Sequence, residues 1–326
     1  MCEASEKNGG TSGNVILLNQ TMLPMKNVYT LADLASRTLL DMGAEKPAKL
    51  AVIGHPVAHS VSPLMHQAAL DADGVAARYI RIDVERGQTA QVFAQMRELG
   101  FIGCNVTVPH KLEAMANCEV SADAKILGAV NTICFENYST RGYNTDGPGF
   151  RNAVERDFGI NLASLKVLIL GAGGGAGQAI AMQCAMLGVP KLVVVNRSIE
   201  KLEPLLARMQ FNHTSSEVVA LQLADVALRE HCFDVDLIVN TSSVGLKAGD
   251  LSILPPYCFK LEHMVYDTIY APAVTPLLAA AIAAGCRTSN GLSMLLNQGA
   301  LAYQYWFPEA QPLTIMRAAL THLPTG

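Results

Sequence analysis

The feature that most constrains the fold is a short uncharged apolar run that leads directly into a cluster of glycines. The run Val167-Leu168-Ile169-Leu170 is followed by seven residues of which five are glycine, in the order Gly171-Ala172-Gly173-Gly174-Gly175-Ala176-Gly177. This cluster contains the spacing G-x-G-x-x-A, which is typical of the turn that joins a strand to a helix in dinucleotide-binding domains. The sequence therefore predicts a parallel sheet with helices on both faces.

Three positions of the cluster have a physical reason to be small. Gly171 allows a tight turn off the strand, Gly173 lets the backbone approach a pyrophosphate, and Ala176 keeps the following helix close to the sheet. The first N–H groups of that helix then face the phosphates. The alternative is a glycine-rich turn that binds no ligand.

The end of the next apolar run indicates which dinucleotide is bound. The run Val193-Val194-Val195 ends in Asn196-Arg197-Ser198, with Lys201 shortly after, and no acidic residue stands at the tip. An NAD site usually has Asp or Glu there, whereas a cation can contact a 2′-phosphate. We therefore predict NADP(H) rather than NAD(H); the alternative is that Arg197 and Lys201 are ordinary solvated charges.

Length and charge exclude several classes of protein. At roughly 150 residues per domain, 326 residues suggest two domains. The chain has 24 basic and 28 acidic residues without a basic block, which argues against a nucleic-acid or anionic-membrane partner. Its eight cysteines are scattered and form no C-x-x-C pair, as expected of a protein in a reducing compartment, so we expect a cytoplasmic protein.

Three further segments could be misinterpreted. Residues 167–190 carry no charge, but their glycines make a membrane-spanning helix improbable. Residues 1–13 have no apolar core, so they are not a secretory signal, and we expect them to be disordered. The histidines at 55, 59 and 66 lack a partner at a known ligand spacing, so we predict no metal site.

From residue 49 onward, strand and helix patterns alternate along the chain. Before that point, residues 14–47 are ambiguous, although Thr30 is a plausible cap for a helix that extends to Met42. The triplet Gly147-Pro148-Gly149 interrupts the pattern and is a candidate domain boundary. A last long helix is predicted over residues 292–307. The overall prediction is an α/β protein of two domains.

Four polar stretches before that boundary contain more hydrogen-bonding groups than a plain core needs. In His59-Ser60-Val61-Ser62-Pro63, two hydroxyls next to a helix N-terminus form a small site for a carboxylate, although Ser62 could simply be the N-cap. The other three stretches are Asn105-Val106-Thr107-Val108-Pro109-His110-Lys111, Gly128-Ala129-Val130-Asn131-Thr132 and Asn144-Thr145-Asp146-Gly147.

The second and fourth stretches contain the charged candidates. Asn105 and Thr107 share one face of a predicted strand, and Lys111 follows its carboxyl end, where α/β sheets bind ligands. Asp146 lies in a predicted turn, where an Asp more often bonds its own backbone. From spacing alone, both interpretations of Asp146 stay open.

Taken in order, these stretches resemble the shikimate dehydrogenase family, which includes quinate/shikimate dehydrogenases. The resemblance extends from about residue 51 to the C-terminus. It implies an N-terminal α/β substrate-binding domain with a mostly parallel sheet, a Rossmann NADP-binding domain, and a cleft between them. The expected divisions are a partly disordered extension (1–48), a substrate-binding domain (49–147 plus 290–326) and a Rossmann domain (148–289).

The resemblance also implies roles for individual residues. Lys111 would be the catalytic acid/base, paired with Asp146. The substrate would be bound by Ser60, Ser62, Asn105, Thr107, Asn131, Asp146, Tyr270 and Gln298. The cofactor would be bound by Gly171, Ala172, Gly173, Gly174, Gly175, Ala176, Asn196, Arg197, Ser198, Lys201, Thr268 and Gly291.

The sequence departs from the family pattern at three places. Ser198 and Lys201 replace the usual Thr and Arg, Thr268 replaces a residue that is often large and apolar, and Asn290 replaces the usual Asp. The implied activity is NADP-dependent interconversion of 3-dehydroshikimate and shikimate. The alternatives are a quinate or dual-specificity dehydrogenase and a non-catalytic NADPH-binding sensor. A homodimer is possible.

Overall fold

Two β-sheets organise the molecule, for which the computed structural model describes residues 26–137 and 139–321. The first sheet contains strands β1 Tyr29–Thr30, β2 Ala48–Gly54, β3 Arg78–Asp83, β4 Gly103–Val106, β5 Glu119–Val120, β6 Thr132–Phe135 and β7 Thr140–Tyr143. The helices associated with these strands are α1 Arg37–Leu40, α2 Ser62–Ala72, α3 Thr89–Glu98, α4 Lys111–Ala116, α5 Ala122–Leu127 and α6 Asp146–Phe158.

The first sheet is mixed, with the order β1-β3-β2-β4-β6-β7-β5. Strands β1 to β4 are parallel, whereas β6 is antiparallel to both β4 and β7. The parallel part agrees with the predicted mostly parallel sheet. Because β2 and β4 are adjacent and parallel, the segments after them meet at one edge of the sheet.

The second sheet contains six strands, all parallel. They are β8 Val167–Leu170, β9 Lys191–Asn196, β10 Glu217–Gln222, β11 Leu237–Asn240, β12 Met264–Asp267 and β13 Arg287–Ser289. The helices that follow α6 are α7 Gly175–Met186, α8 Glu203–Phe211, α9 Leu228–Phe233, α10 Pro276–Ala283, α11 Leu292–Trp306 and α12 Leu313–Leu320.

The order of the second sheet is β10-β9-β8-β11-β12-β13. Counted from β8, this is the 3-2-1-4-5-6 order of the dinucleotide-binding doubly wound fold. The central strand β8 is buried on both faces: Leu168 and Leu170 contact one apolar core, and Val167 and Ile169 contact the other. In this fold ligands bind at the carboxyl end of β8, where the strand order reverses.

The C-terminal helices return to the first sheet. Trp306 of α11 donates from its indole nitrogen to the carbonyl of Ile133 in β6 at 2.9 Å. Met316 and Leu320 of α12 belong to the same apolar cluster as Leu50 of β2. The chain therefore leaves the first sheet at α6 and comes back to it through α11.

The predicted break at Gly147-Pro148-Gly149 is wrong as a statement of local structure, because these residues form the first turn of α6. Pro is accepted there, since the first helical N–H groups have no intrahelical partner. Gly149 is needed for packing, because a Cβ at this position would lie 2.7 Å from Cβ of Gln298 in α11.

The predicted N-terminal extension divides into two parts. Residues 1–25 lie outside the described part of the chain, so their expected disorder stays a prediction. Residues 26–48 are described by the structure, and within them Tyr29–Thr30 pairs with β3 as an edge strand. The predicted helix up to Met42 is interrupted, because Ser36 is extended and separates a 3₁₀ helix at Leu31–Ala35 from α1.

Within residues 26–137 and 139–321, no helix combines the length and the apolarity needed to cross a bilayer.

Candidate active site

A buried ion pair lies where the first sheet ends. Lys111 begins α4 and Asp146 begins α6, and Lys111 Nζ lies 2.5 Å from Asp146 Oδ2. Their side chains are only 12% and 5% exposed. Salt screens such a pair little, so the carboxylate fixes the position of the ammonium group.

Side-chain amides and a hydroxyl surround the carboxylate of Asp146. Asn131 Nδ2 donates to Asp146 Oδ1 at 3.0 Å and to Thr145 Oγ1 at 2.9 Å, and it lies 3.4 Å from Gln298 Oε1. Gln298 reaches this position from α11, and its Nε2 donates to the carbonyl of Leu295. The structure thus brings four predicted substrate-side residues into one network: Lys111, Asn131, Asp146 and Gln298.

The two open interpretations of Asp146 are resolved by its neighbour. Asn144 Oδ1 accepts from the backbone N–H of Asp146 at 2.9 Å and from that of Gly147 at 3.3 Å. Asn144 therefore closes the turn, and the carboxylate of Asp146 is left for Lys111 and Asn131.

A loop with little freedom connects Lys111 to Asn131. Strand β6 begins at Thr132, and Gly128 ends α5 with φ +78° and redirects the chain between them. The N–H of Val130 then donates to the carbonyl of Lys111 at 3.2 Å, and Asn144 Nδ2 donates to the carbonyl of Ala129 at 2.8 Å. We call residues 128–131 the Gly128 loop.

Asn105 and Thr107 occupy the end of β4 as predicted. Asn105 is buried, accepts a hydrogen bond from the hydroxyl of Tyr79 at 2.7 Å and lies 3.3 Å from Thr132 Oγ1. Thr107 follows the strand and is half-buried. Its methyl group would lie 2.5 Å from a Cβ on Gly54, so these two segments pack without space between them.

Ser60 and Ser62 stand side by side at the start of α2. The suggestion that Ser62 is only an N-cap is wrong, because Val61 is the N-cap and Ser62 is the first helical residue. Instead, Ser60 Oγ accepts from the N–H of Ser62 at 3.3 Å. Arg81 Nε donates to the carbonyl of Ser60 at 2.8 Å, which holds the segment against β3.

Tyr270 connects the two halves of the molecule. It follows β12 of the second sheet, yet its hydroxyl lies near the backbone of Val61, next to the serine pair. Burial raises the pKa of Tyr270, and the backbone of Val61 and the neighbouring Arg81 partly oppose that shift. The phenol therefore stays protonated and can donate a hydrogen bond.

The glycine turn has the predicted form. Gly171 has φ +81°, and a Cβ there would lie 2.8 Å from the backbone nitrogen of Ser242. A Cβ on Gly173 would lie 2.8 Å from Lys201 Cβ and 3.0 Å from Asn196 Cγ. The turn thus packs closely against the segments that follow β9 and β11.

The glycine turn also lies next to the ion pair. A Cβ built on Gly175 would be 3.5 Å from Lys111 Cβ and 3.6 Å from Lys111 Cδ. Lys111 therefore faces the start of α7, although it belongs to the other sheet. The two sites that the sequence predicted separately form one site.

The residues of the turn suit a phosphorylated dinucleotide. Because α7 begins at Gly175, its first N–H groups have no intrahelical partner and can bind a pyrophosphate. At the tip of β9, Asn196 Nδ2 donates to the carbonyl of Ser198 at 2.8 Å. Arg197 and Lys201 are exposed there, which leaves both cations able to contact a 2′-phosphate.

Thr268 and Gly291 meet on the far side of the site. A Cβ on Gly291 would lie 2.0 Å from the carbonyl oxygen of Thr268, so only glycine fits at position 291. The N–H of Gly291 donates to the carbonyl of Ile269 at 3.1 Å. These contacts join the end of β12 to the start of α11.

Three residues of this site were not singled out by the sequence analysis. Thr145 bridges Asn131 and Gln298, and its presence within a quoted stretch was a usable signal. Tyr79 holds Asn105, and Gln178 donates to the carbonyl of Gly173 at 3.1 Å. Neither of these two has a local signal, because each acts on a residue far away in the sequence or on a backbone carbonyl.

Comparison with known families agrees with this geometry. Residues 52–133 match the shikimate dehydrogenase substrate binding domain, residues 152–245 match shikimate / quinate 5-dehydrogenase, and residues 291–321 match the shikimate 5′-dehydrogenase C-terminal domain. These three regions include the serine pair, Lys111, the glycine turn and Gln298.

Individual relatives extend over most of the chain. The shikimate dehydrogenase (NADP(+)) of Symbiobacterium thermophilum is 40% identical over 280 residues, covering 83% of this chain and 92% of that protein. The Thermus thermophilus shikimate 5-dehydrogenase in complex with NADP(H) and shikimate is 35% identical, with TM-score 0.74, covering 85% of this chain and all of that one.

A quinate dehydrogenase has a similar fold. The enzyme from Corynebacterium glutamicum in complex with NAD is 30% identical, with TM-score 0.76, and covers 84% of this chain and 98% of that one. Fold alone therefore does not separate the two substrate preferences, but the identity and coverage of the relatives assign the family. The chain belongs to the shikimate dehydrogenase family.

Proposed function

We propose that this protein is an NADP-dependent shikimate dehydrogenase, which reversibly reduces 3-dehydroshikimate to shikimate in the biosynthesis of aromatic amino acids. The observation that carries the proposal is the position of the Lys111–Asp146 pair beside Gly175 of the glycine turn. A proton-transferring group and a nucleotide turn are thus within reach of one small ring.

The substrate is held from three sides. Ser60 and Ser62 bind its carboxylate at the start of α2, where helix N–H groups also favour an anion. The ring hydroxyls bond to Thr107 and to four side chains that are already fixed by hydrogen bonds of their own. These four are Asn105, Asn131, Asp146 and Gln298. Tyr270 covers the ring from the second sheet.

Lys111 is the acid/base of the reaction. When the ketone is reduced, negative charge develops on its oxygen, and the ammonium group stabilises that charge and donates the proton. In the reverse direction the amine takes the proton from the hydroxyl. Asp146 and Asn131 hold Nζ in place and bind a neighbouring hydroxyl, so the proton moves over a fixed distance.

The glycine turn and the tip of β9 hold the cofactor, which supplies or accepts the hydride when it is bound. Gly173, Gly175 and Ala176 present backbone N–H groups to the pyrophosphate. Gly171, Ala172 and Gly174 shape the turn, and their N–H groups bond to carbonyls of Val195 and Gly171. Arg197 and Lys201 contact the 2′-phosphate, with Asn196 and Ser198 shaping the tip. Thr268 and Gly291 border the nicotinamide end.

The proposal includes the arrangement of the protein as a whole. Residues 49–147 with 290–326 form the substrate-binding unit, and residues 148–289 form the cofactor-binding unit. The seven cysteines in the described part of the chain are all free thiols, which fits the reducing cytoplasm. A homodimer is the expected assembly, and light scattering of the purified protein measures it.

A single spectrophotometric assay tests the proposal. The absorbance of the reduced cofactor, NADPH or NADH, is followed with shikimate and with quinate as substrates, each with NADP⁺ and with NAD⁺. We expect turnover of shikimate with NADP⁺ at much higher kcat/KM than any other pair. A preference for quinate would identify a quinate dehydrogenase, and NADPH binding without turnover would identify a sensor.

A further inference from the structure

An arginine on a helix that packs against the second sheet contacts the substrate side of the molecule. Arg208 lies on α8, and its guanidinium packs directly over Gly128, which ends α5. A Cβ on Gly128 would lie 2.3 Å from Arg208 Cζ and 2.6 Å from both terminal nitrogens. The guanidinium therefore occupies the space in which a side chain at position 128 would lie.

The same guanidinium is connected to the glycine turn through one intermediate. Arg208 Nη2 donates to Gln178 Oε1, and Gln178 Nε2 donates to the carbonyl of Gly173 at 3.1 Å. The Gln178 amide therefore has one partner on each side. This amide therefore joins the glycine turn to Arg208.

On its other side, Arg208 contacts the Gly128 loop, which is bonded to the reacting groups. Val130 donates to the carbonyl of Lys111, and Asn131 donates to the carboxylate of Asp146. A continuous series of contacts thus runs from Gly173 through Gln178 and Arg208 to Lys111 and Asp146.

Arg208 occupies this position at an energetic cost. Its Nε is buried without a hydrogen-bond partner, and burial lowers the pKa of the guanidinium. Within residues 26–137 and 139–321, it forms no ion pair with a carboxylate. Arg208 is half-buried, and partial desolvation of a cation without an anionic partner opposes folding, so its position suggests a role besides packing.

We propose that Arg208 is a positioning residue that couples the cofactor turn to the Lys111–Asp146 pair. It holds the Gly128 loop in register with the glycine turn, so that occupancy of the turn favours the geometry that binds and reduces the substrate. The inference rests on the proposed function, because it takes shikimate and NADP(H) as the ligands.

The coupling is measured as binding synergy. The affinity for NADPH is determined by fluorescence titration without and with saturating shikimate. NADPH and shikimate are both in the reduced form, so the complex that contains them cannot react. In the wild type we expect shikimate to tighten NADPH binding at least about five-fold, the lower range of allosteric coupling. Turnover with NADP⁺ and shikimate is recorded for every variant.

Two substitutions address the contact from opposite sides. Arg208→Met retains an unbranched apolar stem but removes the guanidinium. Gly128→Ala inserts a methyl group where the guanidinium lies and also strains the backbone, because φ is +78° at this position. Arg208→Met should bring the synergy close to one and lower kcat, with the affinity for NADPH alone within about three-fold of wild type. Gly128→Ala should also lose the synergy, with a lower Tm from the strain. The double variant should lose no more synergy than Arg208→Met alone, because both break the same contact. Arg97→Met, an exposed arginine on α3, is the matched control.

The results separate this inference from the proposed function. A wild type that turns over shikimate but shows no synergy overturns the role of Arg208 and leaves the function standing. The same holds if Arg208→Met lowers Tm while the synergy is retained, since that is a purely structural effect. A wild type without turnover overturns the proposed function and, with it, this inference.

Discussion

The two halves of the site are built from different chemical groups. On the substrate side, buried side chains already bond to one another, as in Lys111, Asp146 and Asn131. On the proposed cofactor side, a glycine turn offers backbone groups for binding, and the charged side chains Arg197 and Lys201 are exposed. The first half is a network of buried polar side chains, and the second is a backbone surface next to two exposed cations.

This difference predicts how each half responds to substitution. A buried network fails when a functional group is removed, because its partners are left without hydrogen bonds. A glycine turn fails when a side chain is added, because a Cβ occupies the space of a neighbour or of the ligand. Exposed cations lose only a screened attraction, so their removal should have graded effects.

Removal of the amine from Lys111 should have the largest effect. We expect Lys111→Met to lower kcat by about 10²- to 10⁴-fold, the usual contribution of a positioned acid, with a small change in shikimate affinity. Lys46→Met, which removes an exposed ion pair with Asp71, should keep kcat within two-fold. Near-normal turnover in Lys111→Met would remove this residue from the mechanism.

Addition of a methyl group to the glycine turn should have the second-largest effect, on the KM for NADP⁺. In Gly173→Ala the new Cβ would lie 2.8 Å from Lys201 Cβ and 3.0 Å from Asn196 Cγ, so the turn must shift. We expect KM for NADP⁺ to rise at least about ten-fold, a change of 1.4 kcal/mol or more in binding free energy, with KM for shikimate nearly unchanged. An unaltered KM for NADP⁺ would show that the backbone at this position does not approach the cofactor.

Removal of one of the two exposed cations should have a smaller and selective effect. Arg197→Gln should raise KM for NADP⁺ about ten-fold, as expected for the loss of one hydrogen bond to a charged group, and leave KM for NAD⁺ unchanged. The NADP⁺ effect should decrease with added salt. Equal changes for both cofactors would mean that Arg197 does not contact the 2′-phosphate; Arg97→Gln is the control.

Removal of a hydroxyl at the carboxylate site should have a modest effect on binding. Ser60→Ala should raise KM for shikimate about ten-fold, the lower end for a hydrogen bond to a charged group because the partner is a carboxylate, with a smaller effect on kcat. Steady-state kinetics separate the two parameters. A change confined to kcat would contradict the assignment of Ser60 to the carboxylate.

The core behind the substrate side should respond to pH through His66, with little effect on turnover. His66 is fully buried and stacks on Tyr79 at 4.4 Å, and burial lowers its pKa from 6.5 to about 3. Below pH 6.5 the unfolded chain therefore binds a proton that the folded chain does not. As the pH is lowered below 6.5, the contribution of His66 should reduce the free energy of unfolding by about 1.4 kcal/mol per pH unit.

The variant His66→Phe isolates this effect. Chemical denaturation at pH 7.5 and pH 5.5 should show a smaller loss of stability in the variant than in the wild type. The control His231→Gln, on α9, should behave like the wild type. An identical pH dependence in His66→Phe would show that His66 is protonated in the folded state.

Much of the site was predictable because its signals are local. The glycine spacing at residues 171–177 determines a turn whose conformation other residues rarely adopt, so one stretch of sequence was enough. The parallel pairing of the second sheet was predicted from the same stretch, whereas the order of its strands was not. The pairing of Lys111 with Asp146 came only from the family resemblance, because the two residues are 35 positions apart.

The features that were missed depend on tertiary contacts. Gly147-Pro148-Gly149 looks like a break, but a helix accepts Pro in its first turn, and Gly149 allows α11 to approach. The edge strand at Tyr29–Thr30 is two residues long, and only its pairing with β3 defines it. Arg208 has no local signal, because its partners Gly128 and Gln178 are distant in sequence.

A crystal structure with NADP⁺ and shikimate bound would test the central claim most directly. The account predicts Lys111 Nζ within about 3.2 Å of the oxygen of the hydroxyl that is oxidised, the limit for proton transfer. It also predicts that the nicotinamide ring packs against the substrate carbon that bears this hydroxyl, and that the pyrophosphate lies at the start of α7. Shikimate bound with its carboxylate at Lys111, or a cofactor away from Gly175, would contradict it.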